Sequence, residues 1–397
     1  MRWTCPIALP GHQQPRKEKI IVRTEWSRRA LLKVTGLTAA GAAITSGASP
    51  RAFAALADAD TAPSAPIYLN LNENAFGPSE AVAPALTREF GRLSRYASDA
   101  LAQPFLEQVA TYEHLPVEQV IPGEILGGLG LWLGSRGGHG GEFLYSAPGY
   151  TALVDAAAHV GGEAVPIPLN ARYENDLDAF REKLTPKTRA IYLINPHNPT
   201  GTVTETDTFL RFLREISQKA PVIVDEAYLE YTPDFERRSA VQLVREGANV
   251  LVFRTFDKIH GLAGLPIGYT LAPASVVSAL RQQGYGNAES LGRLNITAAS
   301  AALGDTAHGA RVRNIVSEER AKWTSFLDRQ GRKRSDTVTN FVFFDAGLPQ
   351  VELAAYLRKQ GIEIGRTFPP YTNWARITIG LPEENRKAQG ALERLWR

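Results

Sequence analysis

The sequence predicts an α/β protein: a large part built on a mostly parallel, helix-covered sheet, joined to a smaller α+β part. Three observations carry this. Short apolar runs at 189–194, 221–224 and 249–253 have the length and composition of buried strands. Helical patterns separate them, as at 151–160 and 205–219, which is the rhythm of parallel strands joined by crossover helices. From about residue 285 the rhythm changes to a long helical tract, 294–330, followed by short strands and helices.

The chain begins with a segment that reads as a leader. Ser27-Arg-Arg-Ala-Leu-Leu-Lys33 has the twin-arginine form; a Gly/Ala-rich apolar run and a small-x-small site at Ala52-Phe-Ala54 follow. The run is too short and too polar to anchor a helix across a bilayer. The expectation is an export signal over 1–54, recognised by the twin-arginine machinery, and a periplasmic product. The single cysteine, Cys5, and the single methionine, Met1, both fall inside it. The mature chain would then carry no disulfide and no thiol nucleophile. Residues 55–95 read as a linker and N-terminal arm, 96–285 as the large domain and 286–397 as the small one. The formal charge of +3 over 397 residues, with no basic block in the mature part, argues against a nucleic-acid partner. No metal-ligand cluster is expected.

The strand ends hold the chemistry. The run 189–194 leads into Asn195-Pro-His-Asn-Pro-Thr-Gly201, which delivers Asn198. The run 221–224 leads into Asp225-Glu-Ala-Tyr228, and 249–253 into Arg254-Thr-Phe-Asp-Lys258-Ile-His-Gly-Leu-Ala-Gly-Leu-Pro-Ile-Gly-Tyr269. Open α/β sheets keep their active sites at the carboxyl ends of the strands. An asparagine, an Asp-x-x-Tyr pair and a lysine therefore meet at one sheet edge.

Together and in this order these motifs resemble the fold-type I pyridoxal-phosphate enzymes, specifically the class I/II aminotransferases of the histidinol-phosphate aminotransferase group, over about residues 67–390. The resemblance implies pyridoxal 5′-phosphate as cofactor, with Lys258 capturing its aldehyde and moving protons, Asp225 facing its ring nitrogen, and Asn198 and Tyr228 bonding its phenolic oxygen. It implies a stacking aromatic at Tyr150, in Ala147-Pro-Gly-Tyr150, and a substrate-carboxylate arginine at Arg376, in Ala375-Arg-Ile-Thr-Ile-Gly380. A guanidinium fork suits a carboxylate. Leu69-Asn-Leu-Asn-Glu-Asn-Ala-Phe-Gly-Pro-Ser79 resembles the group's entry segment, with Ala75 replacing a proline and Asn74 as a substrate contact; Ser79 would cap the helix that follows. Tyr96, in Leu-Ser-Arg-Tyr, would reach the cofactor of a second subunit, which implies a homodimer. The partners implied are an amino donor, either an amino acid or an amino-alcohol phosphate, and a 2-oxo acid acceptor. A decarboxylase or lyase of the same fold, and a binding protein that has lost turnover, remain alternatives.

Two positions depart from the group at the cofactor phosphate. Asp257 stands before the lysine where a hydroxyl residue is usual, and Pro266 stands where an arginine is usual. The helix turn that offers backbone amides to the phosphate carries Glu124 and Ile125. Two like unit charges about 4 Å apart at an effective dielectric near 20 interact by roughly 4 kcal/mol. The expectation is therefore that Glu124 points away and that the phosphate is held more weakly than in relatives unless another cation has moved in, His260 and Arg254 being the candidates.

Overall fold

Strands form where the apolar runs are, and their burial explains why. The computed structural model describes residues 66–397, which form one compact unit. In chain order the strands are β1 (Ile67–Leu69), β2 (Val120–Pro122), β3 (Glu142–Ala147), β4 (Glu163–Pro168), β5 (Thr188–Ile194), β6 (Val222–Asp225), β7 (Val250–Thr255), β8 (Gly268–Leu271), β9 (Phe341–Asp345), β10 (Ile362–Ile364) and β11 (Trp374–Thr378). Seven of them make the main sheet, in the order β2-β8-β7-β6-β5-β3-β4. The five strands from β7 to β4 are parallel; at the other edge β8 pairs antiparallel with β7, and β2 pairs antiparallel with β8.

Every residue of β6 and β7 is buried. Their side chains alternate between two cores. Val222, Val224, Val250 and Val252 pack with Phe209, Leu213 and Ile216 of helix Thr206–Ile216. Ile223, Leu251 and Phe253 pack with Leu126, Leu129 and Leu133 of helix Leu126–Gly134, and with Leu153 and Val154 of helix Ala152–Ala158. Cover on both faces is why these strands read as unbroken apolar runs rather than as alternation. Each fully buried branched side chain contributes about 2 kcal/mol. At Gly130 a Cβ would run into the backbone carbonyl of Leu153, so this glycine allows the two helices their close approach.

The remaining strands form two small sheets. β9 and β11 pair antiparallel, and β1 pairs parallel with β10, so the N-terminal arm is built into the C-terminal part. Their core holds Phe341, Phe344, Ile377 and Trp323, closed by helices Thr306–Arg329 and Pro382–Trp396.

Two expectations are corrected. The tract 294–330 is two helices, Arg293–Gly304 and Thr306–Arg329. The break is at Asp305, whose carboxylate accepts the His308 N–H at 3.1 Å and the Ser79 hydroxyl at 2.6 Å. The first of these helices places Ile296, Ala299 and Leu303 in the main-sheet core. Ser79 does not cap the next helix directly: Ala81 occupies the cap of Val82–Glu89, while Ser79 accepts the Ala81 N–H. The expected leader and most of the linker lie outside the described residues. Among the described residues no helix is long and apolar enough to cross a membrane, and no group of side chains is arranged to hold a metal ion.

Candidate active site

The carboxyl ends of β5, β6 and β7 open on a cavity of about 620 Å³. That is the size of small-molecule sites in general. Its wall brings together Asn198, Asp225, Tyr228, Lys258, Tyr150, Arg376, Glu124 and Asp257. These come from five separate loops, from the end of β6 and from β11, so the sheet and the small part must both be folded before the site exists.

Asp225 is the last residue of β6 and is buried. Its carboxylate accepts the Tyr192 hydroxyl at 2.9 Å and the Ala227 N–H at 3.0 Å. Burial pushes its pKa up, against the pull of these donors and of Lys258. A buried carboxylate with so few donors is suited to a cationic ring N–H. Lys258 lies just past β7, its Nζ 6.0 Å from the centre of the Tyr228 ring. The Tyr228 hydroxyl accepts the Asn72 Nδ2–H at 3.0 Å. Arg376 donates to Asn198 Oδ1 at 2.6 Å and to the Asn70 carbonyl at 2.8 Å, while its Nε–H is buried without a partner. Burial lowers the guanidinium to about 10, so it is still a cation at neutral pH. The Tyr150 ring is half exposed at the pocket wall, and burial and then Asp225 raise its hydroxyl.

The other sequence-derived site residues fall differently. Glu124 was expected to turn outward. It lines the pocket instead, seated over β8, where a Cβ on Gly268 would come within 2.7 Å of its Oε1. Burial first, and Asp257 next, push its carboxyl up to about 7. Ile125 is not on the pocket wall; it precedes helix Leu126–Gly134 and its side chain joins the core. His260 is directed away from the cavity: its ring packs on Phe256 and its Nε2 is 3.4 Å from Glu230. Arg254 is also turned away, buried between Glu113 and Glu226 at 3.3 and 3.1 Å. Neither side chain reaches the cavity to compensate for Asp257. Asn74 holds the loop after β7, donating to the Ile259 carbonyl at 2.9 Å, and lies outside the cavity. Tyr96 is 83% exposed on this single chain, away from the pocket.

Sequence reading missed four groups. Asn72 is one, held at φ 57°, a conformation asparagine tolerates better than most residues. Tyr192 looked like one more apolar residue of its strand. Arg358 and Arg366, from the small part, line the rim of the cavity. Arg358 is paired with Glu363 at 2.7 Å, whereas Arg366 lies over Phe368.

A model of the family "aminotransferase class I and II" matches residues 65–392. The histidinol-phosphate aminotransferase of Anaeromyxobacter sp. (strain Fw109-5) is 34% identical over 329 residues, 82% of this chain and 89% of that protein. The aromatic amino acid aminotransferase of Cutibacterium acnes is 31% identical over 330 residues, 82% of this chain and 91% of that protein. The crystal structure of histidinol-phosphate aminotransferase from Sinorhizobium meliloti in complex with pyridoxal-5′-phosphate superposes with a TM-score of 0.74 at 26% identity, covering 83% of this chain and 91% of that one. The residues here fit the ring of such a group: a buried acid, an amine and two hydrogen-bonding side chains converge on one cavity. They do not fit its phosphate, because the side chains at that end are the carboxyls of Glu124 and Asp257 and the single hydroxyl of Thr255, with Lys258 as the one cation beside the two acids.

Proposed function

This chain belongs to the class I and II aminotransferases, whose cofactor is pyridoxal 5′-phosphate, and on that footing we propose that it moves an amino group between an amino acid, or an amino-alcohol phosphate, and a 2-oxo acid. The observation that carries this reading is the convergence of Lys258, Asp225, Tyr228, Asn198 and Arg376 on one cavity.

When bound, the cofactor draws electrons from the substrate Cα into its ring. The protein supplies everything else. The Lys258 amine would hold the cofactor aldehyde and, when free, would serve as the base that takes a proton from the substrate Cα and as the acid that gives it back. The Asp225 carboxylate would keep the ring nitrogen protonated. The Tyr228 hydroxyl, fixed by Asn72, and the Asn198 amide would bond the phenolic oxygen. Arg376 is anchored through two of its nitrogens and turns the rest of its fork to the substrate carboxylate, which fixes which bond of Cα lies across the ring. Arg366, free of any acidic partner in the salt bridges of the described residues, suits a donor with a second anionic group.

Given an amino donor and no acceptor, the holoprotein is expected to release one equivalent of oxo acid per site and then stop. Continued turnover, or release of carbon dioxide, would overturn the transfer reading. Arg376→Lys loses the planar fork, and its kcat/KM for the donor is expected to fall about a hundredfold, mainly through KM. An unchanged KM would remove Arg376 from the carboxylate.

The surface and the leader support two further readings. Tyr68, Leu71, Phe90, Leu93 and Tyr96 are all more than half exposed on one chain, a set of large apolar groups on the arm and the segment after it. A second copy of the chain covering them would make a homodimer and bring Tyr96 to its partner's site. The twin-arginine pattern supports export to the periplasm in a folded state. With Arg28 and Arg29 both changed to lysine, the protein is expected to stay in the cytoplasmic fraction. The exported form should sediment at twice the subunit mass. Periplasmic recovery of the double-lysine form would refute this route.

A further inference from the structure

The cavity has two chemically opposed sides. On one, Tyr228, Asn198 and Arg376 are joined to the arm by Asn72 and Asn70. On the other stand Glu124, Asp257 and Thr255, beside the first turn of helix Leu126–Gly134, with Lys258 and Asp225 between the two sides. In the ring of a vitamin B6 aldehyde, the aldehyde carbon lies between the phenolic carbon and the carbon that bears the 5′ arm. With the aldehyde at Lys258 and the phenolic oxygen at Tyr228 and Asn198, the arm leaves toward Glu124 and Asp257.

We propose that this side of the cavity is a carboxyl-pair subsite, Glu124 with Asp257, that disfavours a doubly charged 5′-phosphate and accepts an uncharged 5′-hydroxymethyl group, so that pyridoxal rivals its phosphate as a ligand above neutral pH. The inference rests on the aminotransferase reading of the ring end and deepens it. The groups facing Glu124 are named readily: Asp257 from the loop after β7, Thr255 at the end of β7, Asp225 from β6, Lys258, and Tyr150 from the loop after β3. Lysine is the single cation among them, and the aldehyde consumes it. The Thr255 hydroxyl accepts the Asp257 N–H at 3.1 Å, so its one proton can serve just one of the two carboxyls. Asp257 Oδ1 is buried with no hydrogen-bond partner. Burial, before any other cause, favours the protonated form of both acids.

A phosphate monoester loses its second proton near pH 6. Between pH 6 and pH 8 the ligand therefore gains charge while Glu124, with its pKa near 7, loses its proton. Binding of the phosphate at the upper end of this range must bring a proton with it. Pyridoxal shares the ring, the aldehyde and the lysine chemistry, so the ratio of the two affinities isolates the arm.

The test is titration of the cofactor-free protein with pyridoxal 5′-phosphate and with pyridoxal at pH 6 and pH 8, read by ring absorbance and by borohydride labelling of Lys258. The phosphate's advantage over pyridoxal is expected to shrink at least tenfold from pH 6 to pH 8. In the double variant Glu124→Gln/Asp257→Ser the advantage at pH 8 should return at least tenfold, with pyridoxal itself moving less than threefold. A wild-type ratio that does not change with pH overturns the proposal without any variant, as does a ratio that the double variant leaves unchanged. If neither aldehyde labels Lys258 at either pH, the cofactor reading of the whole cavity fails, and this proposal fails with it.

Discussion

Replacing Lys258 with alanine is expected to lower transamination by a factor on the order of 10⁴ or more. Two functions are lost together. The alanine variant has no amine to hold the cofactor aldehyde, and no base to carry a proton from the substrate Cα. Positioned acid–base groups alone are worth about 10² to 10⁴ in rate. No nearby side chain can stand in for both functions, because Lys258 is the one primary amine that lines the pocket. Borohydride should label a single lysine in the wild type and none in the variant. A small primary amine added to the variant should restore part of the proton transfer, since the cavity left by the side chain opens into the pocket. A variant that kept a tenth of the wild-type rate would remove Lys258 from the chemistry.

Changing Asp225 to asparagine should cost about a thousandfold in turnover while leaving the cofactor attached at Lys258. The shape survives, since the amide oxygen can still accept from the Ala227 N–H while the amide NH2 donates to the Tyr192 hydroxyl, which accepts in place of donating. The negative charge does not, and an opposite charge at this range moves a neighbour's pKa by about one to three units. The ring nitrogen would then lose its proton and the electron sink would weaken. Stability should move the other way. In the empty site burial raises the Asp225 pKa above its unfolded value. Folding then holds the proton more tightly than the unfolded chain does, and stability falls as pH climbs from the ordinary carboxylate range through the raised value. The asparagine variant escapes that loss. Its cofactor-free form should melt at a higher temperature than the wild type at pH 7.5 and at about the same temperature at pH 4. A lower melting temperature at pH 7.5 would contradict the account of Asp225 as an acid kept buried for its cationic partner.

The residues at the strand ends were readable because chain order carries them. Asn198, Asp225, Tyr228 and Lys258 each follow an apolar run whose buried sequence is unmistakable, and parallel neighbours put their ends side by side. Asn72 and Tyr192 were not readable for a different reason. Asn72 acts through a left-handed backbone and a contact 156 residues away, neither of which leaves a local pattern. Tyr192 sits in a strand where an aromatic side chain is ordinary, and its hydroxyl matters because of what β6 places beside it. The resemblance to the family's motif told which residues replaced the usual phosphate donors, but not where their side chains would go. Glu124 turned in because Gly268 leaves room for it, while His260 turned out toward Glu230. Helical periodicity could not reveal the break at Asp305, because both helices around it are good helices and the capping carboxylate is one residue among many acids.

The bonds from Arg376 to Asn70 and from Thr378 to Asn72 each join residues 306 positions apart. Such distant pairs are slow to form, since the intervening chain must be ordered first. A ribosome that has released everything up to β8 has produced the complete main sheet but no working pocket. The full set of pocket residues comes together only as the final few dozen residues emerge, so a product truncated just before β11 would keep the main sheet and lose Arg376 together with the strand and helix that close the small core.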